Sequence, residues 1–185
     1  MELQQNPWRF ETASIPYENP WIRVTEHRGI NPAGNPGIYG IVHFKNLAIG
    51  VVALDADQHI WLVGQYRVPL EAWSWEIPEG GGPHGTDPLV SARRELAEET
   101  GLKAREWRQI VQVHMSNSVS DEVGIVYLAQ GLEQGTADPE ETEQLAVRRV
   151  PFMEAYHMVR EGAITDSLSV AAIQKIRLMM LEGEL

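Results

Sequence analysis

Apolar residues in the N-terminal third come in short runs divided by turn formers, a pattern that predicts strands. Positions 22 to 27 alternate in polarity. A second run, 39 to 44, follows the breaker cluster Asn31-Pro32-Ala33-Gly34-Asn35-Pro36-Gly37. Beyond a tight turn at Lys45-Asn46, positions 47 to 54 are continuously apolar and β-branched, as expected of a buried strand. Asp55-Ala56-Asp57-Gln58 interrupts that run and 60 to 67 resumes it, so the pair is expected to form a hairpin. Gly80-Gly81-Gly82-Pro83-His84-Gly85 reads as a loop on composition. A helix is expected over 88 to 100, with Asp87 as N-cap, Pro88 at its first position and Gly101 as its stop. Further strands are expected over 107 to 114 and 123 to 129, then a polar acidic loop over 131 to 143 and a strand over 145 to 150. Helical spacing of Phe152, Tyr156 and Val159, and of Leu168, Ala172, Ile176 and Met179, predicts two closing helices. Strands that come first and a central helix flanked by sheet indicate an α/β or α+β class with a mixed sheet.

Composition narrows the picture. The chain has 185 residues, 43% of them hydrophobic, enough for one domain spanning 1–185 with a real core. A formal net charge of −11 argues against a nucleic-acid partner, since nothing basic is concentrated enough to neutralise a phosphate backbone. There are no cysteines, which excludes disulfides, thiolate metal sites and cysteine nucleophiles. The start lacks the pattern of a signal peptide and no apolar run is long enough to span a bilayer, so the expectation is a soluble cytoplasmic protein without a membrane partner.

The chemistry concentrates in Arg94-Glu95-Leu96-Ala97-Glu98-Glu99-Thr100-Gly101-Leu102. Glu95, Glu98 and Glu99 have the spacing that brings side chains onto one helical face. Like charges held that close repel, so a purely structural helix gains nothing from them, whereas a hard divalent cation would remove the repulsion. Arg94 can orient a neighbouring carboxylate through forked hydrogen bonds.

The stretch Gly80-x5-Thr86-x7-Arg94-Glu95-Leu96-x-Glu98-Glu99-x-Gly101-Leu102 resembles the signature box of the Nudix hydrolases. Every fixed position matches but one: Thr86 stands where the family has its first glutamate. Trp75-Glu76-Ile77-Pro78-Glu79-Gly80, Gln65-Tyr66-Arg67, the 116 to 122 segment and Ile164-Thr165-Asp166-Ser167 are similar to the branch that hydrolyses ADP-ribose and nucleotide sugars. The resemblance implies an α/β/α sandwich with a central mixed sheet, an N-terminal β-rich extension over 1–45 and a catalytic core over 46–185. It implies Mg²⁺ or Mn²⁺ held by Glu95 and Glu99, by Glu98 directly or through water, and by the backbone carbonyl of Glu79. It implies hydrolysis of a nucleoside diphosphate linked to another moiety, giving a nucleoside monophosphate and a sugar phosphate. A homodimer formed through the N-terminal strands is expected of this branch. The alternatives are a hydrolase of non-standard nucleoside triphosphates, or a ligand-sensing module that keeps the fold and is weakened by Thr86.

Arg94 and Glu98 are the candidate catalytic residues inside the box. In the resembling branch the general base lies on a late loop, here Asp138-Pro139-Glu140-Glu141-Thr142-Glu143, with Glu141 and Glu143 as candidates; a solvated acidic loop is the competing reading. Gly80 and Gly81 would let the backbone approach an ion or a phosphate, or form an ordinary turn. Trp73 and Trp75 could stack on a base or simply pack in the core. Arg67 could grip a phosphate or a ribose, or close a strand-end ion pair. Glu122 is a further candidate base or ligand. His84 and His114 could supply polar contacts, or be surface residues without a role.

Overall fold

A computed structural model of the chain describes residues 5–137 and 144–185. It comprises two compact units. The first runs to Asn46 and includes His114–Glu122; the second is Leu47–Val113 together with Val123–Leu185.

The first unit is a three-stranded antiparallel sheet, β1 (Arg9–Glu18), β2 (Ile22–Ile30) and β3 (Pro36–Phe44), in the order β1-β2-β3. All ten residues of β1 are exposed. A patch of rings, Trp8, Phe10, His27 and Tyr39, lies on this sheet, with Trp8 edge-on to Tyr39 at 5.3 Å. Every hydrophobic side chain that is buried among the described residues lies in the second unit, so this sheet has no sealed core of its own.

The second unit holds the chemistry. Strands β4 (Asn46–Ala53), β7 (Glu79–Pro83), β8 (Leu102–His114) and β9 (Val123–Gln134) form a sheet ordered β7-β4-β9-β8, with β4 and β9 parallel. Strands β5 (His59–Arg67), β6 (Ala72–Glu76) and β10 (Ala146–Pro151) form an antiparallel sheet ordered β10-β5-β6. Helix α1 (Pro88–Thr100) packs Ala92 and Leu96 against Ile49, Val51, Ile125 and Tyr127. Helix α3 (Ser167–Glu182) lies on the other side of β9: a Cβ on Gly124, one residue before Ile125, would come 2.4 Å from Leu168. This is the helix–sheet–helix layering expected of the chain. Helix α2 (Phe152–Arg160) buries Phe152 and Ala155 and packs on α3. Among the described residues no helix is long and apolar enough to cross a membrane.

Helix α1 has the bounds its sequence signals predict. The Asp87 carboxylate accepts from the Leu89 amide at 3.0 Å, and Gly101 takes φ 73°, donating its amide to the Ala97 carbonyl. The closing helices and the strands at β2, β3, β8 and β10 also form close to where the pattern places them.

Three expectations need correction. β4 and β5 do not form a hairpin; only one bridge, Leu54 to Ile60, joins them before they enter different sheets. The Asp55 side chain turns the chain instead, accepting from the amides of Asp57 and His59 and pairing with Arg149 on β10. Second, most of the glycine run is strand rather than loop. β7 spans Glu79–Pro83 because missing side chains allow close approach: a Cβ on Gly82 would meet Ile49 at 2.8 Å and Ser91 at 3.2 Å. Third, β9 continues through Gln134, so 131 to 134 is strand. Gly131 takes φ 65°, and a Cβ there would crowd Arg105.

Replacing Asp87 by Ala removes the first-turn acceptor of α1. Chemical denaturation is expected to show a loss of about 1 kcal/mol, with the far-ultraviolet spectrum of the native state unchanged.

Candidate active site

The acidic residues meet where β6, β7, α1 and the start of α3 come together. Ile77 and Pro78 link β6 to β7, and the Ile77 amide donates to the buried Ser169 Oγ at 2.9 Å, which ties this turn to α3. The next residue but one, Glu79, donates its amide to Glu99 Oε2 at 3.0 Å. Gly80 follows, and its Cα lies so close to Glu95 that a Cβ would fall 2.1 Å from that carboxylate. Thus the strand before the helix and the helix's own carboxylates are in direct contact, and a side chain at position 80 would displace the Glu95 carboxylate.

Two arginines partition the charge. Arg94 donates to Glu95 Oε1, to Glu98 Oε2 at 2.6 Å and to the Gly81 carbonyl at 2.9 Å. Arg67, at the end of β5, donates to both oxygens of Glu76 and to Glu79 Oε1 at 2.8 Å. Glu76, Glu95 and Glu99 are 2%, 7% and 2% exposed, so these are buried charges that require partners. Glu79 has too few. Its Oε2 is buried without a hydrogen-bond partner among the described residues. Burial, followed by the negative charges of Asp166 and Glu76, pushes its carboxyl well above the ordinary carboxylate range; Arg67 opposes this and Glu99 adds to it.

The residues expected from sequence to form the site are brought together only in part. Glu79, Gly80, Gly81, Arg94, Glu95, Glu98 and Glu99 are contiguous, and Arg67 joins them through Glu79. Trp73 and Trp75 are not on this side. Pairing of Gly64 with Trp75, and of Tyr66 with Trp73, puts both indoles on the face of β6 opposite Glu76. There they pack over Gly64, with the Arg148 guanidinium 5.0 Å above Trp75. Glu122 and His114 belong to the first unit, where the Glu122 carbonyl accepts from the Met115 amide. His84 and Thr86 lie exposed in the turn before α1. Glu140, Glu141 and Glu143 fall outside the described residues.

Three residues were not assigned a role from sequence. Glu76, in the stretch before the glycines, accepts from Arg67 with both oxygens and anchors it. Asp166 caps α3 by accepting from the Ser169 amide at 2.7 Å, and its charge bears on both Glu79 and Arg67. Ser169 is fully buried and holds the turn. A helix-cap pattern could have located Asp166, but not that its cap faces an acid on β7.

The donor set is all oxygen and largely carboxylate, which is the chemistry of a hard divalent cation. As they stand, no three acidic or histidine side chains among the described residues surround a common point. Arg94 engages Glu95 and Glu98, while Glu79 Oε2 is unsatisfied. Six carboxylates, of Glu76, Glu79, Glu95, Glu98, Glu99 and Asp166, are linked through these contacts to two guanidinium groups. The residues therefore fit an added cation better than they fit one another.

Comparison with known proteins agrees with the box. The NUDIX domain profile matches residues 44–169. A methanol dehydrogenase activator of Bacillus methanolicus is 35% identical over 133 residues, 71% of this chain and 72% of that protein. An ADP-ribose pyrophosphatase of Mycobacterium tuberculosis is 35% identical over 137 residues, 72% of this chain and 65% of its own length. One from Bacillus subtilis is 33% identical over 133 residues, 71% of this chain and 72% of its own length. A crystal structure of an ADP compounds hydrolase superposes with a TM-score of 0.86 over the whole of both chains at 19% identity, a likeness of fold. With the family profile spanning most of the sequence and these relatives aligned over the box, the chain belongs to the Nudix hydrolase family.

Proposed function

We propose that this Nudix hydrolase cleaves the pyrophosphate bond of a nucleoside diphosphate linked to another moiety, ADP-ribose or a nucleotide sugar, with Mg²⁺ or Mn²⁺ as cofactor. The products are a nucleoside monophosphate and a sugar phosphate. The observation that carries the reading is the buried, unsatisfied oxygen of Glu79 beside Glu99 and Glu95, in a cluster with more negative than positive charge. Relatives named as ADP-ribose pyrophosphatases support the choice of substrate class.

Glu79, Glu95, Glu98 and Glu99 are the residues that would hold the ion. An ion bound there supplies neutralisation of phosphoryl charge, the largest requirement of this chemistry. The chain's own groups set up the rest. Arg94 donates to Glu95, Glu98 and the Gly81 carbonyl, and so keeps both carboxylates beside β7. Arg67 donates in turn to Glu76 and Glu79. Burial and the neighbouring acids disfavour the charged form of the Glu79 carboxyl, and a cation bound beside it would relieve that penalty. Water must be aimed in line and deprotonated, and Glu141 and Glu143 stay the candidates for that base.

Residues 46–185 are read as the catalytic body and 1–45 as the dimerisation element. Three strands without buried apolar side chains, with Ile15, Tyr17, Trp21 and Ile38 exposed at 54%, 54%, 67% and 55%, are poorly stable alone and are suited to cover by a second copy.

ADP-ribose, nucleotide sugars, dinucleoside polyphosphates and nucleoside triphosphates, each with Mg²⁺ or Mn²⁺, should be compared with products identified by mass. Preferential turnover of ADP-ribose or a nucleotide sugar is expected. Preference for triphosphates would replace the substrate reading, and no turnover of any compound would point to a binding module. Glu99→Gln should lower turnover by at least about 100-fold at unchanged melting temperature; an active variant would mean that the metal face is misassigned. Gly80→Ala should also abolish most turnover, because its methyl displaces the Glu95 carboxylate; wild-type rates would contradict the close approach. Sedimentation equilibrium should give twice the chain mass, and a monomer at micromolar concentration would remove the dimer proposal.

A further inference from the structure

On the side of α1 turned away from Glu95 and Glu99, the structure forms a second recess. Arg93 and Ala97, one helical turn apart, face Lys103, Ala104 and Trp107 of β8 across a cavity of about 440 Å³. That volume lies within the range of small-molecule sites. Two alanines leave the space open. Around it stand two cations and an indole, and among the described residues no carboxylate lines it.

In a chain of net charge −11, such a spot is unusual in sign. Most arginines here are spoken for by acids, as Arg67, Arg94, Arg108, Arg148 and Arg149 show. Arg93 and Lys103 have no carboxylate partner among the described residues. Instead the Arg93 guanidinium lies 5.9 Å from the centre of the Trp107 ring. The ring is held from behind: Trp107 Nε1 donates to the Ala104 carbonyl at 3.1 Å, and Tyr127 meets it edge-on at 6.4 Å. The indole and guanidinium are flat surfaces on which another flat ring can stack, and both cations can take an anion.

We infer that this recess is a second ligand site, separate from the carboxylate cluster, for a small molecule that joins a flat aromatic ring to a phosphate, of which a nucleoside monophosphate is the simplest form. The phosphate pairs with Arg93 and Lys103, and the ring lies against Trp107. The site does not depend on the substrate assigned above, and no metal enters its chemistry.

The test uses AMP as probe, with the full-length protein in EDTA, so that neither turnover nor a bound cation contributes. Calorimetry should show one AMP per chain. Arg93→Ala/Lys103→Ala should weaken binding by at least about tenfold. Both side chains are exposed, so an unchanged melting temperature is expected for the variant. In the wild-type protein the Trp107 indole N–H resonance, assigned through Trp107→Phe, should move on titration with AMP. Inorganic phosphate and adenosine should each bind at least about tenfold more weakly than AMP, because each satisfies half of the site. The inference is overturned if AMP does not bind at millimolar concentration, if the double variant binds it as well as the wild type, or if phosphate alone binds equally well. Because no hydrolysis is measured, an enzyme inactive on every diphosphate would leave this result intact, and a failure here would leave the hydrolase reading intact.

Discussion

Mutual repulsion among buried carboxylates is the constraint around which the second unit is organised. Glu76, Glu95 and Glu99 are almost completely removed from water, and Glu79 has one oxygen that no described residue satisfies. Such groups are costly unless paired, and two guanidinium groups are too few for them. Arg94 and Arg67 hold the carboxylates in fixed rotamers without cancelling their charge. The negative charge left over at this site is what the proposed cation would neutralise.

The surrounding architecture makes that arrangement possible. A strand without side chains at 80, 81 and 82 runs beneath α1 closely enough for the Glu95 carboxylate to touch backbone. The turn before it is fixed from the other side by Ser169, and Asp166 at the cap of α3 adds its charge to Glu79. Three elements distant in sequence, β5 with Arg67, α1 with its glutamates and α3 with its cap, thereby converge on one residue of β7. Asp166 acts on Glu79 through its charge alone, and Ser169 acts through its hydrogen bond from the Ile77 amide.

Much of α1 was legible because its signals are local. A cap, a first-turn proline, carboxylates at helical spacing and a stop glycine all act within one turn of the chain, and tertiary context left them unaltered. The expected β4–β5 hairpin failed for the opposite reason. Two apolar runs joined by a short polar link carry no record of which neighbour each will pair with, and Asp55 binds Arg149 from a distant strand to settle the matter. The glycine run misled because composition cannot distinguish a free loop from a strand emptied of side chains to admit a neighbour. Trp73 and Trp75 share one face of β6, and whether that face looks toward the acids depends on the register with β5.

By itself, then, the sequence determined the class of fold, the helix that carries Arg94, Glu95, Glu98 and Glu99, and the chemistry those residues imply, because spacing along a helix converts directly into neighbourhood in space. Only the tertiary structure decided that Glu79 would be stranded among Glu76, Glu99 and Asp166, that Arg67 would hold it, that the tryptophans would face away, and that Arg93 and Lys103 would border a common recess. These are juxtapositions between elements far apart in the chain. Strand pairing and helix docking set them, and no local pattern encodes the distance that results.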